Sequence, residues 1–262
     1  MNSWSRRRKR FIFLIVFLAF LIVVGLPAYF LFYKAPTCFD GKLNGSETGV
    51  DCGGGCQLLC TAESLPLIVK GDPQILRVTE SLFEVIALVE NPNPTGEIYK
   101  AGFIFKLYDS KNTISIKTIE GETYVPKAAT LAIFEGPFTL EDNIVPTRVT
   151  FEWKPETLVW QQNNAIQPEL LVKGTNLSRE ATNPRLDAVI ENTSLRDLSN
   201  IDLVALISNE TGTIFAASKT FIDTLPASGE VPVIFTWPRA FNERVSDIDV
   251  IVRLLPDGSF IR

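Results

Sequence analysis

Residues able to do chemistry are scarce in this sequence, because its 262 residues include no histidine. The chain therefore lacks the commonest general base, the Ser-His and Cys-His nucleophile pairs, and every histidine-containing zinc site. The acid pairs Glu141/Asp142 and Asp247/Asp249 remain as candidates for a carboxylate-based hydrolase. Isolated surface acids are far commoner than glycosidase pairs, so we predict that the protein is not an enzyme.

Four cysteines, Cys38, Cys52, Cys56 and Cys60, are the other chemically distinctive residues. Their spacings of 13, 3 and 3 intervening residues lack the paired Cys-x-x-Cys knuckles of a zinc site. A segment this short cannot bury a core of its own, so disulfides would be its main source of rigidity. We predict two disulfides and no metal at the cysteines, and the sequence leaves all the possible pairings open.

An oxygen-rich cluster lies between the first two cysteines. Asp40, Asn44, Glu47 and Asp51 alternate with glycines, which is a composition that calcium favours. The same residue types also cap tight turns, where glycine supplies a positive φ. The spacing is not that of an EF-hand loop, so we favour turn capping and keep calcium as a speculative alternative. No other cofactor is expected.

The segment from Cys38 to Cys60 resembles a small cysteine-rich module of bacterial secreted and surface proteins. The resemblance rests on the pattern C-x-D-G-x-x-N-G-x-E-T-G-x-D-C-G-G-x-C-x-x-x-C. The usual pattern ends in Cys-x-x-Cys, whereas residues 57–59 make the last gap one residue longer here. The resemblance implies a module at 35–62 that acts as a spacer between an anchor and cargo domains.

An uncharged apolar run of 23 residues, 11–33, precedes the module and is long enough to cross a bilayer as a helix. A basic cluster comes before it, and only Lys34 follows directly. The positive-inside rule therefore predicts a cytoplasmic stub at 1–10, a single-pass anchor in the cell membrane, and extracellular C-terminal domains. A cleaved signal peptide and a buried core helix are the alternatives. The cluster consists of Arg6, Arg7, Arg8, Lys9 and Arg10.

The rest of the chain carries an excess of acidic residues. Lys and Arg total 25 against 30 Asp and Glu, and five of the basic residues belong to the N-terminal cluster. An acidic surface repels phosphate backbones, so a nucleic-acid partner is excluded. The lipid bilayer is the one partner that the sequence predicts, and it leaves any envelope protein or surface ligand unidentified.

Beyond the cysteines, short motifs recur in the same order about one hundred residues apart. Solenoid repeats are shorter, usually ~20–50 residues, so a period of this length favours duplicated domains. Four matches support this interpretation: LIVKG at Leu67 with LLVKG at Leu170 (offset 103), and Glu90-Asn91 with Glu191-Asn192, Ile133-Phe134 with Ile234-Phe235, and Pro137 with Pro238 (offset 101).

The repeat sets the domain organisation that we predict: one domain at 65–154, a linker at 155–168 and a second domain at 169–262. The linker is polar and bounded by proline, which predicts semi-independent folding. Phe134 and Phe235 are expected to be buried at equivalent positions, because each ends an apolar run.

Each domain has the sequence pattern of an antiparallel β-sandwich. Apolar residues recur at every second position, as in the alternating face of Phe103, Phe105 and Leu107, and Gly and Pro break these runs at short intervals. No stretch after the anchor has a helical period. Trp237 ends one such run and is predicted to be a core residue. The predicted fold class is therefore all-β, with two tandem sandwiches behind one N-terminal transmembrane helix and a disulfide-rich module.

The first domain also resembles the FxLYD family of small extracellular bacterial domains. Phe105, Leu107, Tyr108 and Asp109 match its Phe-x-Leu-Tyr-Asp signature, and residues 89–93 fit both this family and the LEA-type sandwiches. The second domain lacks the signature. The resemblance implies an immunoglobulin-like fold and an extracellular location, and it implies no catalytic residues.

These observations predict a membrane-anchored extracellular protein of the cell envelope that binds or scaffolds. A subunit of an envelope or secretion assembly, with the anchor helix as a partner contact, is the first alternative. A carboxylate-based hydrolase is the second.

Overall fold

A computed structural model describes residues 3–111, 114–140 and 144–256, with side chains from Arg8 onward. The chain forms two compact units, Met1–Gly55 and Cys56–Arg262. Their boundary falls inside the predicted cysteine-rich module. The second unit therefore contains both predicted sandwiches and the last two cysteines.

The first unit begins with a helix that continues through the whole apolar run. It consists of α1 (Ser3–Phe20), a π-helical turn (Leu21–Gly25) and α2 (Leu26–Phe32). Within Arg8–Phe32, the apolar 18-residue window has a mean hydropathy of 3.0, and the apolar side chains are exposed all round. A helix that is apolar on every side has no favourable place in water. This one is long and apolar enough to cross a membrane, as a signal sequence would also be.

The second unit is built almost entirely from antiparallel strands. They form four sheets, with the strand orders β1-β2-β5, β4-β3-β6, β12-β9-β8 and β11-β10-β13, and β7 adds to the start of β3. The strands are β1 (Ile68–Arg77), β2 (Leu82–Asn91), β3 (Gly96–Tyr108), β4 (Lys117–Val125), β5 (Ala129–Thr139), β6 (Arg148–Trp153), β7 (Gln161–Gln162), β8 (Leu170–Ser178), β9 (Arg185–Asn192), β10 (Leu198–Ser208), β11 (Ile214–Leu225), β12 (Glu230–Thr236) and β13 (Asp247–Leu254).

The four sheets pair into two sandwiches with the same strand order. Sandwich 1 packs β1-β2-β5 on β4-β3-β6, and its core includes the alternating Phe103, Phe105 and Leu107, all at most 1% exposed. Sandwich 2 packs β8-β9-β12 on β11-β10-β13, and Trp237 belongs to its core. The prediction of an all-β fold with two sandwiches is confirmed, and so is the core position of Trp237.

A third apolar layer joins the two sandwiches. Leu76, Ile86 and Ala132 from the β1-β2-β5 sheet pack against residues of the β11-β10-β13 sheet, among them Val204 and Leu206. The polar linker predicts semi-independent domains, whereas these outer faces are apolar and bury each other. We call this layer the junction. It consists of the buried Leu76, Ile86, Ala132, Val204, Leu206 and Ala217 with the partly buried Leu88, Phe134, Ile214 and Ile251.

Much of the predicted linker belongs to sandwich 1. Trp160 is 5% exposed in its core, and Gln161–Gln162 pair with the start of β3. The Lys127 ammonium group donates to the carbonyl oxygens of Asn163 and Ala165. The chain is therefore held against sandwich 1 as far as Ala165.

The prediction that Phe134 and Phe235 occupy equivalent positions is wrong. Glu90 lies opposite Thr130 and Glu191 opposite Glu230, so the equivalent of Phe134 is Ile234. Phe235 is 1% exposed in the core of sandwich 2, whereas Phe134 is half-buried at the junction. A shift of one residue moves a strand side chain to the opposite face of its sheet, which explains the difference.

Candidate functional site

All four cysteines are disulfide-bonded, so the prediction of two disulfides is confirmed. Oxidised sulfurs lack the thiolate charge that a zinc site requires. The end of the module is part of sandwich 1: the Leu59 amide donates to the Trp160 carbonyl at 3.1 Å and the Gln162 amide to the Gln57 carbonyl at 2.7 Å. These residues are therefore not a free spacer.

The oxygen cluster of the module holds tight turns. The Asp51 carboxylate accepts the backbone N–H groups of Asp40 and Gly41 at 2.9 and 3.0 Å. Asp40 accepts the Asn44 side-chain amide at 2.9 Å, and this bond holds the pKa of Asp40 below its usual range. Glu47 accepts the Asn44 backbone N–H at 3.2 Å. Turn capping accounts for this geometry, and the calcium site stays an untested prediction.

We expect Asp51→Ala to lower the melting temperature of the protein, because two backbone donors would lose their acceptor. A calcium chelator should leave the melting temperature of the unmodified protein unchanged. Asp72→Ala is the matched control, since Asp72 is an exposed carboxylate outside the cluster. A lower melting temperature in the chelator would instead support the calcium site.

The FxLYD-like residues have structural contacts in sandwich 1. Phe105 and Leu107 are fully buried in the core. The Arg148 guanidinium lies over the Tyr108 ring at 4.1 Å, and the Asp109 carboxylate accepts the Lys111 amide at 3.0 Å. Cation–π packing and turn capping are roles in stability.

Two buried asparagines support equivalent turns in the two sandwiches. Asn91 donates from its side-chain amide to the Pro126 carbonyl at 2.8 Å, and Asn192 donates to the Pro226 carbonyl at 2.9 Å. Each also accepts, through Oδ1, the backbone N–H two residues later. The repeated Glu-Asn motif of the sequence therefore corresponds to a repeated turn support, whose role the sequence did not reveal.

A buried carboxylate, Glu97, lies beside the start of β7. It is 2% exposed and accepts the Tyr124 hydroxyl at 2.7 Å and the Asn163 amide at 2.9 Å. Burial and this hydrogen bond raise the pKa of Tyr124. Glu97 thus connects β4, through Tyr124, with the residues after β7, through Asn163.

An ion-pair network borders the junction. Asp202, 3% exposed, accepts Arg253 Nη2 at 2.6 Å and lies 3.2 Å from the Lys219 ammonium group. Arg253 Nη1 also donates to the Thr123 hydroxyl at 2.7 Å and the Tyr124 carbonyl at 3.1 Å. One guanidinium thus connects the two sandwiches.

A cleft of about 300 Å³ opens at one end of the junction, and it is the candidate functional site. Glu84 projects from the start of β2 into it, and burial raises the pKa of Glu84 to about 7. Trp237 and Phe241 supply an aromatic wall, with their ring centroids 5.2 Å apart. No sequence motif marks Glu84, and the cleft forms only when residues 213–217 and 237–243 come to lie beside β1 and β2.

The other predicted site residues are not brought together. Asp247 and Asp249 are exposed on β13, and Glu141 and Asp142 lie outside the described residues. Arg8, Lys9 and Arg10 are exposed at the start of the apolar helix. The side chains of Arg6 and Arg7 lie outside the described part of the chain.

No protein-family model matches the sequence. No curated protein matches it either. Among solved structures, a transglutaminase from red sea bream is similar at 14% identity with a TM-score of 0.25. The match covers 70% of this chain, which spans only 28% of the length of that enzyme.

Proposed function

We propose that this chain is a membrane-anchored extracellular protein of the cell envelope, which binds or scaffolds and does not catalyse a reaction. The main support is that disulfide-bonded cysteines closely follow a helix apolar enough to cross a membrane. Disulfides persist outside the cytosol, so the chain after the helix belongs on the outer side. The basic cluster before the helix favours the same orientation.

The fold supports a role in binding. A continuous apolar junction makes the two sandwiches a rigid platform, and rigid platforms suit the presentation of loops and strand edges to partners. One acid pair considered for hydrolysis, Asp247 and Asp249, is described by the structure. Both residues are exposed on β13 and neither lines the cleft. Glycosidase carboxylates flank a substrate cleft, so this placement favours the non-enzymatic function.

The finer family assignments are part of the same proposal. The sandwiches would be immunoglobulin-like domains that arose by duplication, the first being FxLYD-like, behind the cysteine-rich surface module. The shared strand order and the matched supports at Asn91 and Asn192 favour the duplication. Lys70 pairs with Glu90 as Lys173 pairs with Glu191, and Gly71 and Gly174 follow with positive φ.

One observation favours the alternative, a subunit of an envelope or secretion assembly. The apolar helix contains a π-helical turn at Leu21–Gly25, and such turns are frequent at functional sites. This alternative would make the helix a contact with another membrane protein. Replacing residues 11–33 with an unrelated membrane-spanning helix distinguishes the two, since only the alternative predicts loss of co-purifying membrane proteins.

Protease added to intact cells should degrade the chain beyond residue 40, because the proposal places that part outside the cell. Permeabilised cells are the positive control, and a cytoplasmic protein should stay intact in unpermeabilised cells. Full protection of residues 40–262 in intact cells would refute the proposed orientation. Mass spectrometry of the mature protein would also reveal a cleaved signal peptide, because the chain would then lack the apolar helix.

A further inference from the structure

Glu84 is a half-buried acid that lines the cleft. In the described part of the chain the structure gives its carboxylate no hydrogen bond and no ion pair. The aliphatic part of the Glu84 side chain packs closely on the backbone of Gly136. A side chain at that position would collide with it, because a Cβ added to Gly136 would lie 2.8 Å from Glu84 Cγ. The carboxylate is therefore available to a ligand in the cleft that it lines.

The charged groups around the cleft do not neutralise Glu84. On β1, the Arg77 guanidinium donates to the Thr79 and Glu80 carbonyls, both at 3.2 Å. On the segment after β12, Arg239 pairs with the Glu80 carboxylate at 3.5 Å. Glu243, the other acid that lines the cleft, accepts the Asn209 amide at 2.6 Å. Arg77 and Arg239 keep their own positive charges in the cleft lining, and Glu84 is the lining carboxylate without a hydrogen bond or ion pair in the described part of the chain.

The opposite wall of the cleft is aromatic. Trp237 and Phe215 both pack edge-to-face on Phe241, with ring centroids 5.2 and 5.4 Å away. The Trp237 indole N–H donates to the Ala217 carbonyl at 2.9 Å, which fixes the ring. Aromatic rings attract organic cations, as carboxylates do. A volume of about 300 Å³ is at the small end for ligand sites, which suits a compact ligand.

We propose that this cleft binds a small organic cation of the alkylammonium class, with Glu84 as its counter-charge and Trp237 as part of its aromatic wall. A neutral ligand would leave the Glu84 carboxylate without an opposite charge, whereas an ammonium group supplies one. The proposal depends on the cleft alone. It would hold whether or not the apolar helix is retained as an anchor.

Titration calorimetry on the full chain in maltoside detergent tests the proposal, with choline chloride and butylammonium chloride as probes at constant ionic strength. We expect saturable binding of at least one probe. The uncharged analogue 3,3-dimethylbutanol should bind about tenfold more weakly than choline, because it has the same shape without the charge.

Glu84→Gln should weaken binding of the probes by about tenfold, since it removes the charge and keeps the shape. Glu135→Gln is the matched control. Glu135 is another half-buried acid on the same sheet, also with a raised pKa, and it lies outside this cleft near Lys219. Its replacement should change the affinity less than twofold.

The affinity should also fall as the pH drops below about 7, because burial raises the pKa of Glu84 to about 7 and protonation removes its charge. Glu84→Gln should abolish this pH dependence. The proposal would be overturned if neither probe bound saturably, or if Glu84→Gln bound the probes as tightly as the unmodified chain.

Discussion

Leu206→Lys is expected to lower the free energy of unfolding by about 3 kcal/mol, because it places a charged ammonium group among the apolar side chains of the junction. Leu206 is 3% exposed and packs with the apolar residues that join the two sandwiches. Denaturant unfolding of the full chain in detergent measures the loss. Limited proteolysis should also cut the variant faster between residues 163 and 170, because the sandwiches would separate there.

Lys106→Leu is the matched control for this prediction. Lys106 lies on the outer face of β3, where its ammonium group pairs with Glu152 at 2.9 Å in a partly exposed site. Exposed ion pairs contribute ~0–1 kcal/mol, so this variant should unfold almost as the original chain does. Equal stability of Leu206→Lys and Lys106→Leu would show that the junction contributes little to stability.

Phe235→Ala is expected to lower the free energy of unfolding by about 3–5 kcal/mol, because it leaves a cavity in the core of sandwich 2. The Phe235 ring is 1% exposed and lies opposite Leu186 on the neighbouring strand. Unfolding by denaturant, followed by tryptophan fluorescence, measures the change.

The adjacent Ile234→Ala variant tests the register of β12. Ile234 is 47% exposed on the outer face of the sheet, so its truncation should cost less than about 1 kcal/mol. The reverse order of the two effects would show that β12 presents its other face to the core.

The sequence pattern predicts which residues form the inner faces of the sandwiches. Phe103, Phe105 and Leu107 recur at every second position, and this period of two is typical of a strand that has one buried face. The pattern is local, because it depends on which side of one strand meets the core. Sequence reasoning therefore recovers the strand class and the core residues of β3 without knowledge of the partner strands.

The junction has a weaker signature in the sequence. Residues 85–89 read VIALV and residues 203–207 read LVALI, without a polar residue to mark an outer face. Such continuous runs are typical of strands buried on both faces. The runs show that β2 and β10 need cover on two sides. The runs do not reveal that the sheet containing β2 packs against the sheet containing β10. That contact depends on how the two folded sandwiches meet.

The candidate cleft has no signature in the sequence. Glu84 is one acid in an alternating strand, and nothing near it in the chain indicates that it is desolvated. Burial raises its pKa, and the cleft that it lines includes residues 213–217 and 237–243, which are more than a hundred positions away. Desolvation depends on total packing around a group, so it is decided only after both sandwiches have formed.

The sequence by itself determined the apolar helix with its basic flank, the oxidised cysteines and the all-β class, since each depends on composition or on short spacing. The tertiary structure alone decided the junction, the different faces of Phe134 and Phe235, and the burial of Glu84. These features depend on register and on contacts between distant segments. One residue of register reverses the face of a strand, and a short motif cannot record that choice.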